Sequence, residues 1–264
     1  MKKTLSMLLA GAMLATALTG CGGSASSSSD SQNSGNSDSS ASGTVFKIGG
    51  TGPLTGAAAI YGNAAKNGAQ IAVDEINAEG GDIQFELNYQ DDEHDAEKAV
   101  NAYNTLKDWG MQLSLGSVTS KPCEATSAEN YSDRIFALTP SASSVAVTEN
   151  KDNVFQMCFM DPNQGTASAQ YIAEQKLGTK IAIIWKNDDV YSTGIHDKFV
   201  AEAKDKGLEV VSDKTFTDAS ANDFSVQLND AKSNGADLVF LPMYYQPASL
   251  ILTQANAMGY APKF

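Results

Sequence analysis

The 264-residue chain carries 18 basic against 31 acidic side chains, a formal charge of −13. Such a surface repels nucleic-acid phosphates and anionic lipid headgroups, so neither is an expected partner. Cys123 and Cys158 lack ligand-like spacing, and no metal site is expected from them.

The N-terminus opens with Lys2 and Lys3, continues through the apolar run Met7 to Ala15, and reaches Leu18-Thr19-Gly20-Cys21. A basic start, a short apolar core and small residues before a cleavage point describe a secretory leader. The core is too short for a membrane span, which needs about 20 apolar residues. The last four residues resemble the bacterial lipobox. That resemblance implies cleavage after residue 20, lipid on the Cys21 sulfur, and retention outside the cytoplasm on a membrane face. Residues 21–43 are rich in Ser and Gly and cannot bury enough apolar surface to offset their ordering entropy. They are expected to form a tether with a reach of roughly 25 Å. Removing 1–20 takes away Lys2 and Lys3 and no acid, leaving 16 basic against 31 acidic residues, a net of −15.

From Thr44 onward, β-rich runs alternate with amphipathic stretches. The runs are 45–48, 83–87, 111–115, 135–138, 181–185, 208–211 and 237–241. Several are continuously apolar, as strands covered on both faces should be. Ala64, Gly68, Ile71, Ala72 and Ile76 follow helical spacing, as do Ala96, Ala99, Val100, Tyr103 and Leu106. Gly80, Gly110, Gly178, Gly207, Gly235 and Gly259 each follow such a stretch, where a left-handed terminating residue is wanted. The alternation predicts an α/β fold of parallel sheets flanked by helices. Ligands of such folds bind beyond the carboxyl ends of the strands.

The first strand-end loop, Gly49 to Gly56, superficially resembles a dinucleotide fingerprint, with Asp91 closing the next strand. Its spacing is one residue too long, and Pro53 removes an amide where pyrophosphate would be cradled. The same loop carries a stronger likeness. Gly50-Thr51-Gly52-Pro53-Leu54-Thr55-Gly56, Tyr61-Gly62, Gly68-Ala69-Gln70 and Glu75 to Gly81 resemble the extracellular amino-acid-binding proteins of ABC importers, the leucine/isoleucine/valine-binding group above all. Asp91-Asp92, Gly116 with Ser120, Thr139-Pro140-Ser141, Asp161 to Gly165, Tyr191, Asp223-Phe224 and Tyr244 continue it in order to the last residue.

The resemblance implies a two-lobed type I periplasmic-binding-protein fold, with a first lobe over 44–157 and a second over 158–264. It implies a lipid-anchored, monomeric substrate-binding subunit that captures an amino acid between its lobes and delivers it to a permease driven by separate ATPase subunits. Hydroxyls and amides of the first lobe would hold the ligand carboxylate, Ser120, Ser141 and Ser143 matching those positions. Tyr61, Tyr191 and Tyr244 match pocket walls, with Tyr245 an adjacent competitor for the last. Two cysteines that form a disulfide in some relatives are replaced by His94 and Thr119. The acidic partner of the ligand ammonium lies beyond Phe264 in relatives, so the C-terminal part of the fold is expected to be missing. Unpaired sheet edges and poor folding of the piece alone follow. Alternatives of other kinds are a ligand-sensing receptor domain of the same fold, or a binding protein for amides or urea-like solutes.

Enzyme readings find less support. There is no G-x-S-x-G elbow, and His94 and His196 stand beside acids in helix-start contexts, where a solvated imidazole is expected. The acidic run Asp91 to Asp95 lacks the glycine turn of a calcium loop, and Asp95 is expected to cap a helix starting at Ala96. No cofactor or metal is expected. Cys123 and Cys158 are read equally well as one disulfide or as two free thiols.

Overall fold

A computed structural model describes residues 43–264. The leader, Cys21 and the tether up to residue 42 lie outside the described residues.

Two parallel sheets are present. The first joins β1 (Thr44–Gly52), β2 (Ile83–Asp91), β3 (Leu113–Leu115), β4 (Phe136–Thr139) and β5 (Val154–Gln156) in the order β2-β1-β3-β4-β5. The second joins β6 (Lys180–Lys186), β7 (Glu209–Phe216) and β8 (Leu238–Phe240) in the order β7-β6-β8. Lys263 pairs with the outer edge of β8 through Leu238. Helices α1 (Ala59–Ala78), α2 (Ala96–Asp108) and α3 (Ser120–Asp133) connect the first four strands. Helices α4 (Asp161–Glu174), α5 (Val190–Asp205), α6 (Ser225–Ser233) and α7 (Tyr245–Ala257) accompany the second sheet. The α/β class expected from the alternation is the class observed.

Continuous apolarity in β6 has its physical reason in the packing. Ile181 and Ile183 enter a core with Ala169, Ile172, Phe199 and Ala203, while Ala182 and Ile184 enter another with Phe216, Phe224, Leu228 and Ile251. Both faces of this strand are therefore covered. The first sheet is packed against α2 by Tyr103, Leu106 and Met111, and against α3 by Cys123, Ala137, Val147 and Val154. Its face toward α1 is open. An apolar groove of about 660 Å³ runs there between Ala65, Ala69, Ala72 and Val73 of α1 and Phe85, Leu115 and Met157.

Several local expectations need correction. Five of the six glycines do terminate helices at positive φ, but Gly178 does not; Lys176 takes the left-handed role at φ 52. Gly178 is instead a close-approach position, since a Cβ there would lie 2.7 Å from both Asp237 Oδ1 and Leu238 Cβ. The run 111–115 is strand only from Leu113, because Met111 turns into the α2 core. The run 208–211 continues to Phe216 along the edge of β6. Strand β5, three residues long at a sheet edge, carries no sequence signal of its own. Ile71 of α1, one of the residues of the helical rhythm, is 58% exposed.

Candidate functional site

Loops at the carboxyl ends of both sheets meet around a cavity of about 200 Å³. Five of the six predicted ligand contacts line it: Tyr61, Ser141, Ser143, Tyr191 and Tyr244. Ser120, the sixth, stands directly behind the wall. It is the first residue of α3, and its Oγ accepts the Ser143 amide at 3.1 Å and the Ser144 amide at 3.3 Å. Helix α3 starts here because Thr119 is extended, at φ −106 and ψ 151. Pro122 sits in the first turn, where a missing N–H costs nothing.

The segment after β4 is fastened by its own hydroxyls. Thr139 Oγ1 donates to the Ser117 carbonyl at 2.8 Å and accepts the Ala142 amide at 3.1 Å. Ser141 Oγ donates to the Val118 carbonyl at 2.6 Å, so that hydroxyl is already engaged by the backbone. Two strand-end segments are thereby stitched into one rim that presents the Ser143 hydroxyl.

Across the cavity, α4 and α5 pack unusually close. A Cβ at Gly165 would run into the Ile195 carbonyl, so glycine is required for this approach. The contact sets Asp161 and Gln164 of α4 beside Tyr191 of α5; Tyr191 Oη donates to Gln164 Oε1 at 3.5 Å. Tyr244 stacks on Tyr191 with centroids 4.8 Å apart and meets Tyr61 at 5.6 Å. Tyr61 also accepts the Tyr245 amide at 3.1 Å. Tyr244, rather than Tyr245, lines the cavity, as the ungapped register suggests.

Three features escaped the sequence. Asp161 is 1% exposed, and its Oδ2 has no partner among the described residues. Burial pushes its carboxyl up to about 6, against the pull of the Ser143 hydroxyl. Asp189 caps α5 through the Tyr191 amide at 2.9 Å and is 3% exposed. Burial alone would raise its carboxyl, but the His94 imidazole, Lys186 and the Tyr191 amide together outweigh that and hold it below the usual range. Burial likewise drives the Tyr191 phenol up to about 12, with Asp161 adding to the effect. A signal for Asp161 existed: an Asp-Pro pair opening a helix, which reads as a cap and hides a second role.

The third feature is a neighbouring cavity of about 330 Å³ on the other side of Tyr244, lined by His94, Lys186, Asp189, Phe216, Met243 and Leu250 among others. Larger than the first, it contains none of the predicted residues except Tyr244. Lys186 there is paired with Asp218 at 2.7 Å.

The rival chemistries can now be placed. Asp91 accepts the Leu54, Thr55 and Glu93 amides and the Thr55 hydroxyl, so it closes the glycine-rich loop onto itself. Asp95 caps α2 through Lys98 N at 2.9 Å. Neither histidine is a solvated helix-start residue. His196 lies in mid-helix, 9% exposed, stacked on Trp185 at 4.0 Å and 2.9 Å from Asp213. His94 is half-buried, with Nδ1 2.8 Å from Thr119 Oγ1. Cys123 and Cys158 are free thiols; burial pushes the Cys123 thiol up to about 12.

Comparison with known proteins gives these observations a context. The periplasmic binding protein family matches residues 45–264. The Leu/Ile/Val-binding protein BraC3 of Rhizobium johnstonii is 31% identical over 215 residues, covering 80% of this chain and 58% of that protein. The crystal structure of LivJ from Streptococcus pneumoniae, a branched-chain amino acid transporter substrate binding protein in complex with isoleucine, superposes with a TM-score of 0.77. It is 31% identical and covers 83% of this chain and 63% of that one. A solute binding protein from R. palustris in complex with 4-hydroxybenzoate, 21% identical over 83% of this chain and 61% of its own, has a TM-score of 0.73 and shares the fold. The chain thus spans about three fifths of the length of the relatives it matches. It belongs to the periplasmic binding protein family, with the type I fold of the leucine/isoleucine/valine-binding members.

Proposed function

We propose that this protein captures a small amino acid, branched-chain or related, between a first lobe over 44–157 and a second over 158–264. One observation carries the reading: the Ser141 and Ser143 hydroxyls, backed by Ser120, line one aromatic-walled cavity with Tyr61, Tyr191 and Tyr244, and the buried Asp161 carboxylate stands beside it, 3.4 Å from the Gln164 side-chain nitrogen. Donors at a helix start suit a carboxylate without a buried lysine. The buried Asp161 carboxylate beside that rim suits an ammonium group. A zwitterion uses both the hydroxyl donors and the carboxylate, whereas an aromatic acid or a urea-like solute uses only one of them. Tyr61, Tyr191 and Tyr244 offer apolar faces for an aliphatic side chain beside those groups. The complex of LivJ with isoleucine supports the same reading.

Ser120, Ser143 and Ser141 form the carboxylate end in this proposal, Ser120 by fixing the Ser143–Ser144 turn from behind. The protein acts as the substrate-binding subunit of an ABC importer: ligand favours the closed arrangement of the lobes, and a membrane permease receives the closed form. It carries out no chemistry of its own, works as a monomer, and is held outside the cytoplasm by lipid on Cys21. Calorimetry of the full chain against isoleucine, leucine, valine, 4-hydroxybenzoate and urea tests the ligand class. Tight binding of an aliphatic amino acid is expected; tight binding of 4-hydroxybenzoate or urea with none of the amino acids would overturn it. Lipidation is tested by Cys21→Ser, which should release the protein from the cell surface into the medium.

A further inference from the structure

We propose that His94 is a positioning residue for ligand capture, a buckle whose two ring nitrogens tie the start of α3 to the start of α5 when the cleft is closed. The inference rests on the cleft being an amino-acid site, as read above. His94 Nδ1 lies 2.8 Å from Thr119 Oγ1, and Thr119 immediately precedes Ser120. His94 Nε2 lies 3.6 Å from Asp189 Oδ2, and the other oxygen of Asp189 holds the Tyr191 amide at 2.9 Å. One imidazole thus connects two residues that each adjoin a proposed ligand contact, and these belong to helices on different sheets. The ring edge also meets the Tyr244 ring, centroids 5.0 Å apart.

The ring is delivered by a built loop rather than by a flexible one. Glu93 and His94 both occupy the left-handed region, at φ 49 and φ 63, which non-glycine residues seldom adopt. Asp91 Oδ1 accepts the Glu93 amide and Asp92 Oδ1 the His94 amide, each at 2.9 Å, holding that conformation. Consecutive residues kept in a sparsely populated region point toward function. The charged groups around the ring are Asp91 and Asp92 on its own loop, and Asp189 and Lys186 from the segment leading into α5; Thr119 and Tyr244 are neutral. Nδ1 is within hydrogen-bond distance of the Thr119 hydroxyl, while the 3.6 Å approach of Nε2 to Asp189 is a close electrostatic contact, longer than a hydrogen bond. Asp189, nearly excluded from water, meets His94 as the only group within 4 Å of its Oδ2 among the ion pairs of the described residues.

A contact that exists only between closed lobes acts on ligand release more than on encounter. Stopped-flow binding of isoleucine to the full chain is the test. His94→Ala is expected to release isoleucine roughly tenfold faster, with association within about threefold of wild type. His94→Gln, which keeps a donor and an acceptor, should recover part of the loss. The double variant His94→Ala with Asp189→Asn should be no worse than the poorer single variant, since both remove one interaction. Unchanged release in His94→Ala, or additive losses in the double variant, overturns the buckle while leaving the cleft reading intact. Failure of the wild type to bind isoleucine, leucine or valine overturns the cleft reading and the buckle together. If His94→Ala does not fold, His94→Gln and Asp189→Asn carry the same test, and release unchanged in both overturns the buckle.

Discussion

The two sheets repeat one strand-helix unit, yet they bury their apolar residues to different degrees. Strand β6 sends alternate side chains into two closed cores. The first sheet closes one core side against α2 and α3, and leaves Ile76 at 43% and Met157 at 72% exposure on the α1 side. Periodicity reveals which face of an element is apolar. It is silent on whether anything lies against that face, because burial belongs to the neighbour as much as to the residue.

Substitutions can break or sharpen this contrast. Ile183→Ala, in the fully closed core, should cost about 3 kcal/mol in urea unfolding, through lost transfer energy plus a cavity; a loss below 1 would mean that the second sheet is no better packed than the first. Asp161→Asn should act with the opposite sign. Its folded-state carboxyl is raised to about 6 from an ordinary 3.8, so its contribution is complete below pH 3.8 and is lost as pH rises through 6. Removing the charge should therefore stabilise the protein by on the order of 2–3 kcal/mol at pH 7.5 and by about 1 at pH 4.5. Binding of isoleucine should weaken in the same variant, measured by calorimetry, if the carboxylate faces the ammonium group. Equal gains at both pH values would show that Asp161 is not held as a buried acid.

Ser120→Ala comes next. It leaves the Ser143 and Ser144 amides without their acceptor, for a loss of about 1–2 kcal/mol in thermal or urea unfolding and a weaker carboxylate site. Smallest of all is Ile76→Ser, which lines the open groove, expected to stay within about 1 kcal/mol of wild type. A large loss there would show the α1 groove to be covered in solution, and the contrast between the sheets would disappear.

How much of the site was legible depends on what each residue does. Tyr61, Ser141, Ser143, Tyr191 and Tyr244 stand in ordered motifs at strand ends, and they line one cavity. Asp189 was hidden by its capping task, since a carboxylate at a helix start reads as a cap, and Asp161, the first residue of α4, gave no sign along the chain of how deeply it is buried. His94 and His196 looked like solvated residues, because local context shows neighbouring acids along the chain but not Thr119, 25 residues away, or Asp213, 17 away.

By itself the sequence determined the strand-helix alternation, the parallel sheets it requires, and the chemical types gathered at the strand ends, because local propensity and period are properties of short segments. Tertiary structure alone decided the pairings that cross the cleft. The meeting of His94 with Asp189, the approach of α4 to α5 over Gly165, and the burial of Asp161 all depend on distances between segments far apart in the chain. No local pattern encodes those distances; they follow from how the two sheets and their helices pack.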